Sequence, residues 1–340
     1  MSPAGSPRQP PIADQELATD IKAELVDIEE IIRESIKSEM PLLHEASQHL
    51  MDAGGKRHRP MLTLLAARFG DPTGPSVLST AAACELVHAA ALCHDDVLDG
   101  ATLRRGRPSV NARWNDAVAM LTGDFLFARA FLLLARLPVL EARLEVNTFV
   151  RLVTGQIREM TGPAEGEDPA VYYATMVSEK TASLLCACLR LGALTSGAEP
   201  EAVQALERYG EAFGLAFQIS DDLLDLFGEE EKSGKRPGTD LVQGAPTLPL
   251  LYALNSPGED SDRLRELLGT TEPGGRRTAL GEAECAEAIE LLRHHSAVAR
   301  TRERLDAYVE EARAALAPLP DGPAKDTLDL LCAGVAHRAS

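Results

Sequence analysis

Apolar residues recur at helical spacing along almost the whole chain, and short stretches rich in glycine and proline interrupt them. No segment alternates apolar and polar residues over a useful strand length. The pattern predicts helices at about 14–39, 41–52, 57–69, 76–99, 118–136, 138–161, 168–196, 199–228, 245–256, 282–294, 296–316 and 322–336. The polar stretch 256–281 is predicted to be a mobile loop. The sequence therefore predicts an all-α protein.

The chain carries no change of composition that would mark a linker between domains. We therefore expect one domain at residues 13–340, preceded by a disordered lead at residues 1–12. The lead is rich in proline and has no apolar core, so it does not resemble a signal peptide. No uninterrupted apolar run reaches the roughly 18 residues that span a bilayer. These features predict a cytoplasmic protein without a transmembrane segment.

The net charge and the spacing of the cysteines exclude several classes of partner and site. The formal net charge of −18 argues against a nucleic-acid partner, which would require a basic surface. Six cysteines lie inside helical patterns without the spacing of a disulfide framework or a zinc site. We expect reduced, structural thiols.

Two copies of the pentapeptide Asp-Asp-x-x-Asp occur in this chain, at residues 95–99 and 221–225. At 3.6 residues per turn, the first and last aspartates of each copy stack on one helix face. Each copy follows an apolar run, where negative charge without a cation is unfavourable. Clusters of carboxylates that also meet substrate phosphates suit Mg²⁺. The pattern predicts two metal-binding helices.

Basic residues gather in three loops, at 54–60, 100–108 and 234–240. The first of them opens a predicted helix, so it combines fixed cations with backbone N–H groups that favour a phosphate. Together with two metal-binding helices, these loops predict sites for two diphosphate groups, one held through metal and one held directly by arginine and lysine.

Six segments in this order resemble the all-trans isoprenyl (polyprenyl) diphosphate synthase family. They are GGKRHRP at 54–60, HDDVLD at 94–99, RRGRP at 104–108, EKTASL at 179–184, FQISDDLLD at 217–225 and GKRPGTDL at 234–241. The resemblance implies a single large helical bundle of the isoprenoid synthase type with a central active-site cavity. It also implies a homodimer.

The resemblance implies that isopentenyl diphosphate is added head to tail to an allylic diphosphate, with three Mg²⁺ ions per active site. Direct metal ligands are expected at Asp95, Asp99 and Asp221. Aspartates acting through water or as outer partners are expected at Asp96, Asp222 and Asp225.

Cations and polar groups complete the implied site. The allylic diphosphate is expected to meet Arg104, Lys180 and Lys235. Catalytic groups beside the allylic cation are expected at Lys180, Thr181 and Gln218. Isopentenyl diphosphate is expected to meet Lys56, Arg59, His88 and Arg105. The alternatives are that Lys180 is an exposed helix charge, that Gln218 caps a buried carbonyl, and that His88 is a core histidine.

The product length depends on the residues that precede Asp95. In this family a large aromatic residue there stops growth early, whereas this chain has Val87, Ala90 and Ala91. We expect a long product of about C30–C50, with a geranylgeranyl-type product as the alternative. A class I terpene cyclase and a non-catalytic prenyltransferase subunit are weaker alternatives. The small residues would leave a lane open beside this helix for the growing prenyl tail. If they serve only helix packing, Phe125, Phe127 or Phe131 on a neighbouring helix would close that lane.

The chain departs from the family's pattern at Ala245, where many relatives carry a lysine. One remote cation is therefore missing, although Lys235 is retained. The departure leaves the metal-binding residues untouched.

Overall fold

Helices account for nearly all regular structure in the computed structural model, which describes residues 11–228, 238–269 and 280–338. The helices are α1 (Gln15–Ser35), α2 (Pro41–Asp52), α3 (His58–Ala67), α4 (Val77–Leu98), α5 (Val110–Arg113), α6 (Asp116–Leu134), α7 (Val139–Thr161), α8 (Pro169–Val177), α9 (Ser183–Thr195), α10 (Pro200–Phe227), α11 (Thr239–Gln243), α12 (Leu248–Leu254), α13 (Glu259–Leu267), α14 (Glu282–His294), α15 (Ser296–Ala315) and α16 (Pro323–Arg338). Two short antiparallel strands, β1 (Leu103–Arg104) and β2 (Arg107–Pro108), form a hairpin between α4 and α5.

The chain divides into two compact units. The first comprises Met1–Phe149, Leu184–Glu207 and Pro318–Leu331, and the second comprises Val150–Ser183, Arg208–Ala317 and Cys332–Ser340. The first unit contains the motif at residues 95–99, and the second contains the motif at residues 221–225. The single domain expected from the sequence stays a prediction.

Helix α4 forms the centre of the first unit and packs against α1, α3 and α6. It is rich in alanine, so neighbouring helices can approach it closely. Gly123 of α6 illustrates this approach, because a Cβ atom there would lie 3.1 Å from the Ala90 carbonyl oxygen. This packing fixes the end of α4, where the first aspartate motif lies.

The second unit contains a five-residue π-helical turn, Ser178–Ala182, between α8 and α9. Two glycines allow this wider turn to fit. A Cβ atom on Gly155 would lie 2.4 Å from the Lys180 backbone nitrogen, and a Cβ atom on Gly214 would lie 2.5 Å from the Ala182 α-carbon. Single π-helical turns occur often at functional sites, and this one carries Lys180 and Thr181.

Three sequence-based predictions need correction. The helix predicted at 168–196 is interrupted by the π-helical turn, because periodicity cannot distinguish a wider turn from a regular one. The loop predicted at 256–281 contains helix α13, whose low apolar content hid it, while residues 270–279 lie outside the described residues. The loop predicted after residue 228 ends in the short helix α11.

Helices α4 and α6 are long and apolar enough to cross a membrane by length and average composition. The sequence-based exclusion of a transmembrane segment considered only uninterrupted apolar runs. That criterion is stricter than one based on average hydropathy. The protein's own residues bury 67% of the apolar window of α4 and 39% of that of α6. Burial of most of the window, as in α4, is typical of core helices.

All six cysteines are free and buried, and their reduced state stays a prediction. Burial of the thiols also explains why they lie at apolar positions of helical patterns.

Replacing Gly214 with Ala should lower the free energy of unfolding by about 1–3 kcal/mol, because the new methyl group would overlap Ala182. The matched control is Gly334→Ala on α16, where no atom lies within 4 Å of an added Cβ. The control should be neutral or stabilising by up to about 1 kcal/mol. Urea unfolding measures both, and equal effects would contradict the close approach at Gly214.

Candidate active site

The first aspartate motif lies at the C-terminal end of α4, where the helix leaves the core. Asp95 is half-buried and Asp99 is exposed, one turn further on. The backbone N–H of Asp99 donates to the Asp95 carbonyl oxygen at 2.8 Å, so the helical stacking of the two residues is retained. The middle aspartate, Asp96, is fully buried. Two carboxylates of this motif therefore face outward and one faces inward.

Asp96 is held by Arg104 of the β-hairpin. The Arg104 Nε donates to Asp96 Oδ1 at 2.8 Å, and the Nη2 of the same guanidinium donates to the same oxygen. The Asp96 backbone carbonyl accepts from the backbone N–H of Ala101 at 2.8 Å. Asp96 thus joins the helix end to the loop that follows it. The outer role predicted for Asp96 stays a prediction.

The basic residues of the loop at 54–60 divide into two groups. The Arg57 guanidinium forms ion pairs with Glu29 and, at 2.9 Å, with Glu85, which is almost fully buried. Arg57 is therefore a structural residue whose charge is already neutralised. Lys56 is exposed on the same loop, and Arg59 is half-buried.

Arg105 of the hairpin lies against this loop. A Cβ atom on Gly55 would come within 2.5 Å of the Arg105 Nη1, so a larger residue there would shift the guanidinium. The backbones of Arg57 and Arg105 both adopt the left-handed conformation, with φ of 50° and 54°. Two tight turns thus bring separate basic segments together.

His88 belongs to the same cluster. Burial, followed by the positive charges of Arg59, Arg105, Arg104 and Arg57, lowers the pKa of His88 well below its usual value. The imidazole is therefore neutral at pH 7. Burial also lowers the pKa of Arg105, although the charge of Glu85 opposes this effect. The structure brings Arg59, His88, Arg104 and Arg105 into one cationic cluster beside Asp95.

The second aspartate motif repeats the division found in the first. Asp222 is buried and accepts hydrogen bonds from the Tyr173 hydroxyl at 2.7 Å and from the Leu248 backbone N–H at 3.1 Å. Burial, followed by the charge of Asp240, raises the pKa of Asp222 to about 8. Asp221 is half-buried, and its carboxylate lies 4.0 Å from the Arg338 guanidinium.

Asp225 accepts hydrogen bonds from the backbone at the start of α11. Its carboxylate oxygens accept from the backbone N–H groups of Thr239 and Asp240, each at 3.1 Å. Its carbonyl also accepts from Gly238 at 2.9 Å. Asp225 therefore binds backbone groups of the chain itself, and the outer role predicted for it stays a prediction.

The three predicted catalytic residues meet in the second unit. The Thr181 hydroxyl donates to Gln218 Oε1 at 3.0 Å, and Gln218 Nε2 donates to Asp222 at 3.1 Å. Lys180 forms an ion pair with Glu159, so it is not a solvated helix charge. Gln218 bonds side chains rather than a backbone carbonyl. Tyr173, Asp222, Gln218 and Thr181 thus form one chain of hydrogen bonds.

The residues predicted to limit product length differ in exposure. Val87 and Ala90 are fully buried, whereas Ala91 is half-buried and lies one turn before Asp95 on the same helix face. Of these three residues, Ala91 is therefore the most accessible to a prenyl tail.

The phenylalanines that would close the lane lie on α6. The Phe127 ring contacts Phe149 at 4.1 Å between centroids and lies 6.4 Å from Phe131. Phe125 instead lies 5.6 Å from the Arg129 guanidinium. Both predictions about the lane stay open.

Several residues of the site carry no signal in the sequence. Glu29 and Glu85 neutralise Arg57, Glu159 pairs with Lys180, and Tyr173 holds Asp222. Each lies 21 or more residues from its partner, so local spacing could not reveal it. Lys235, predicted to bind the allylic diphosphate, lies outside the described residues.

The carboxylates fit Mg²⁺. In residues 11–228, 238–269 and 280–338, no three His, Cys, Asp or Glu side chains converge as a ready-made metal site. Mg²⁺ usually binds through one or two carboxylates together with waters and substrate phosphates. In the first unit, Asp95 and Asp99 stack one turn apart at the C-terminal end of α4. Such a pair suits a metal that binds together with a substrate diphosphate. In the second unit, Asp221 is half-buried on α10.

Comparisons with known proteins extend over nearly the whole chain. The polyprenyl synthetase family matches residues 40–282. A nonaprenyl diphosphate synthase of Mycobacterium tuberculosis is 42% identical over 321 residues, which cover 94% of each chain.

Solved structures of the same family resemble this chain as well. A decaprenyl diphosphate synthase of Rhodobacter capsulatus is 34% identical and superposes with a TM-score of 0.85, covering 96% of this chain and 99% of that one. A geranylgeranyl pyrophosphate synthase of Corynebacterium glutamicum, crystallised with calcium and isoprenyl diphosphate, is 36% identical with a TM-score of 0.84 and covers 97% and 99%. This chain therefore belongs to the polyprenyl synthetase family, and the predicted all-α isoprenoid synthase fold and polyprenyl diphosphate synthase (prenyltransferase) class are confirmed.

Proposed function

We propose that this chain condenses isopentenyl diphosphate with an allylic diphosphate, head to tail, to give an all-trans polyprenyl diphosphate of about C30–C50. The proposal rests mainly on the cationic cluster of Arg59, Arg104 and Arg105 beside the first aspartate motif. An enzyme that only ionises one metal-held diphosphate would not need a second cationic site. This feature disfavours the terpene cyclase alternative, and two intact aspartate motifs disfavour a non-catalytic subunit.

Within this proposal, the outward aspartates Asp95, Asp99 and Asp221 hold Mg²⁺, with three ions per active site. When bound, Mg²⁺ offsets the negative charge that develops on the departing allylic diphosphate. The Corynebacterium relative crystallised with a divalent cation and a prenyl diphosphate supports this assignment. Asp96 and Asp222 keep the two motifs in position from inside.

The allylic diphosphate also meets Arg104, Lys180 and Lys235 in this proposal. Thr181 and Gln218 face the allylic cation with oxygen atoms that are weak nucleophiles. Their mutual hydrogen bond fixes the direction of the Thr181 lone pairs, so the cation meets a preorganised dipole.

The diphosphate of the second substrate binds to Lys56, Arg59, Arg105 and His88. The depressed pKa of His88 keeps the imidazole neutral, so it binds phosphate oxygen as a hydrogen-bond donor without adding charge. The proton lost after condensation passes to the released diphosphate, so no carboxylate of this chain is needed as the base.

A cytoplasmic homodimer is the assembly that we propose. Helix α7 exposes Val150, Val153, Ile157 and Met160 at alternating steps of three and four residues. That spacing is typical of a helix that packs against another helix. Helix α6 exposes Leu121 and Leu132 as well.

The test is incubation of the wild-type protein with isopentenyl diphosphate, farnesyl diphosphate and Mg²⁺, followed by chromatography of the dephosphorylated products. The proposal predicts a ladder of all-trans polyprenols that ends at about C30–C50. Cyclic hydrocarbons, or an absence of extended product, would contradict it. Products that end at about C20–C25 would support the geranylgeranyl-type alternative.

Replacing Asp95 or Asp221 with Ala should reduce kcat by about a thousandfold or more, because each change removes a proposed metal ligand. Asp306→Ala changes an exposed aspartate on α15 and serves as the control for lost negative charge. Steady-state rates and circular dichroism measure activity and folding. A folded variant that retains more than about a tenth of the wild-type rate would remove that residue from the proposed metal site.

Replacing Ala91 with Phe should shorten the products without preventing the first condensation, because the ring would enter the proposed lane one turn before Asp95. The matched change is Ala90→Phe, where a fully buried position should give lower stability instead. Product chromatography and melting temperatures separate the two effects. An Ala91→Phe variant with unchanged products would exclude the open lane at this residue.

A further inference from the structure

His49 is a half-buried histidine near the C-terminal end of α2 that the proposed reaction does not use. Both nitrogens of its imidazole contact segments that lie far along the chain. Nδ1 lies 2.7 Å from Nη1 of Arg113 on α5, and Nε2 lies 2.7 Å from the Pro108 carbonyl oxygen of β2. The imidazole therefore connects α2 to the β-hairpin and to α5.

The two hydrogen bonds fix the tautomer of the imidazole. A guanidinium can only donate hydrogen bonds, so Nδ1 of His49 must accept from Arg113. A carbonyl can only accept, so Nε2 must carry the proton and donate to Pro108. The Trp114 ring lies nearly perpendicular to the imidazole, with 5.5 Å between ring centroids, and the Arg113 guanidinium lies 4.5 Å from the Trp114 centroid. These contacts set the orientation of the imidazole.

The hairpin has a separate attachment to the end of α4. Arg104 of β1 binds the Asp96 carboxylate of that helix. The Asn111 side-chain amide donates to the carbonyl oxygens of Asp96 and Ala101, at 3.2 and 3.1 Å. These hydrogen bonds hold Arg104 beside the first aspartate motif, and His49 takes no part in them.

The attachment to α2 concerns the other arginine of the hairpin. His49 lies six residues before Gly55, near the end of the helix that leads into the loop at 54–60. The Arg105 guanidinium lies against Gly55 of that loop. The hydrogen bond from His49 to Pro108 therefore joins the helix that precedes the loop to the strand that follows Arg105. It stabilises the place where the loop and the hairpin meet.

We propose that His49 is a positioning residue that keeps Arg105 and the loop at 54–60 at a fixed separation for the diphosphate of the second substrate. This inference rests on the proposed function, which assigns that diphosphate to these two segments. Cations on separate segments bind one diphosphate well only if the segments are held in place. Without the imidazole, the hairpin keeps its attachment to α4 but loses its hydrogen bond to α2. The second substrate should then bind more weakly, while the allylic diphosphate binds as before.

The test compares wild type with His49→Leu, which loses both hydrogen bonds, and with His49→Gln, whose amide can accept from Arg113 and donate to Pro108. Arg113→Met removes one of the two hydrogen bonds from its exposed partner. His44→Leu is the matched control, because His44 lies on the same helix and its Nδ1 lies 3.4 Å from the Ile36 carbonyl oxygen, outside the hairpin.

Two measurements separate binding from turnover. Calorimetry with Mg²⁺ and an unreactive allylic diphosphate analogue gives the Kd of isopentenyl diphosphate for each protein. Steady-state assays with farnesyl diphosphate and Mg²⁺ give kcat and the KM of each substrate. The melting temperature of each protein reports its stability.

His49→Leu should raise both the Kd and the KM of isopentenyl diphosphate about five- to tenfold, as expected for the loss of one or two hydrogen bonds. Arg113→Met should raise them about threefold, since the hydrogen bond to Pro108 can persist. In both variants, kcat and the KM of farnesyl diphosphate should change by less than about twofold. His49→Gln and His44→Leu should match wild type.

Equal increases in both KM values, or a lower melting temperature with an unchanged Kd, would overturn the inference, because His49 would then only stabilise the fold. A His49→Gln variant that binds as weakly as His49→Leu would also overturn it, because restored hydrogen bonds should restore binding. If His49→Leu does not fold, Arg113→Met decides. Absence of incorporation by wild type would refute the proposed function, whereas unchanged binding by the variants of an active enzyme would refute this inference alone.

Discussion

The burial of a carboxyl group at the end of an apolar helix is the constraint on which both aspartate motifs depend. An isolated buried carboxylate is highly unfavourable unless hydrogen bonds or a cation compensate it. Asp96 receives a guanidinium from the hairpin, and Asp222 receives a tyrosine hydroxyl and a backbone N–H. Each inner aspartate thereby fixes the helix end from which its neighbours face outward. The two motifs reach the same division of labour with different partners.

Three glycines allow neighbouring segments to approach closely, and these approaches position other groups of the site. Gly55 leaves space for the Arg105 guanidinium, and Gly155 and Gly214 admit the π-helical turn that carries Lys180 and Thr181. These positions explain why a site rich in charge can form within a tightly packed helical protein. A methyl group at Gly55 would shift the Arg105 guanidinium, and one at Gly155 or Gly214 would press on the π-helical turn itself.

The sequence predicts the helices and the motifs well, because helical periodicity and the spacing within each motif are local properties. It could not predict the interruption at Ser178–Ala182, since the two glycines responsible lie on other helices. It placed Arg57 among the basic residues of the phosphate loop, but Glu29 and Glu85 neutralise that arginine from distant segments.

The central claim is that Asp95, Asp99 and Asp221 bind metal while the buried aspartates Asp96 and Asp222 support the chain. A crystal structure with Mg²⁺ and an allylic diphosphate analogue tests it most directly. We expect metal at Asp95, Asp99 and Asp221, with Asp96 still bound to Arg104 and Asp222 still bound to Tyr173. A structure in which Asp96 or Asp222 leaves its partner and coordinates the metal would contradict the account.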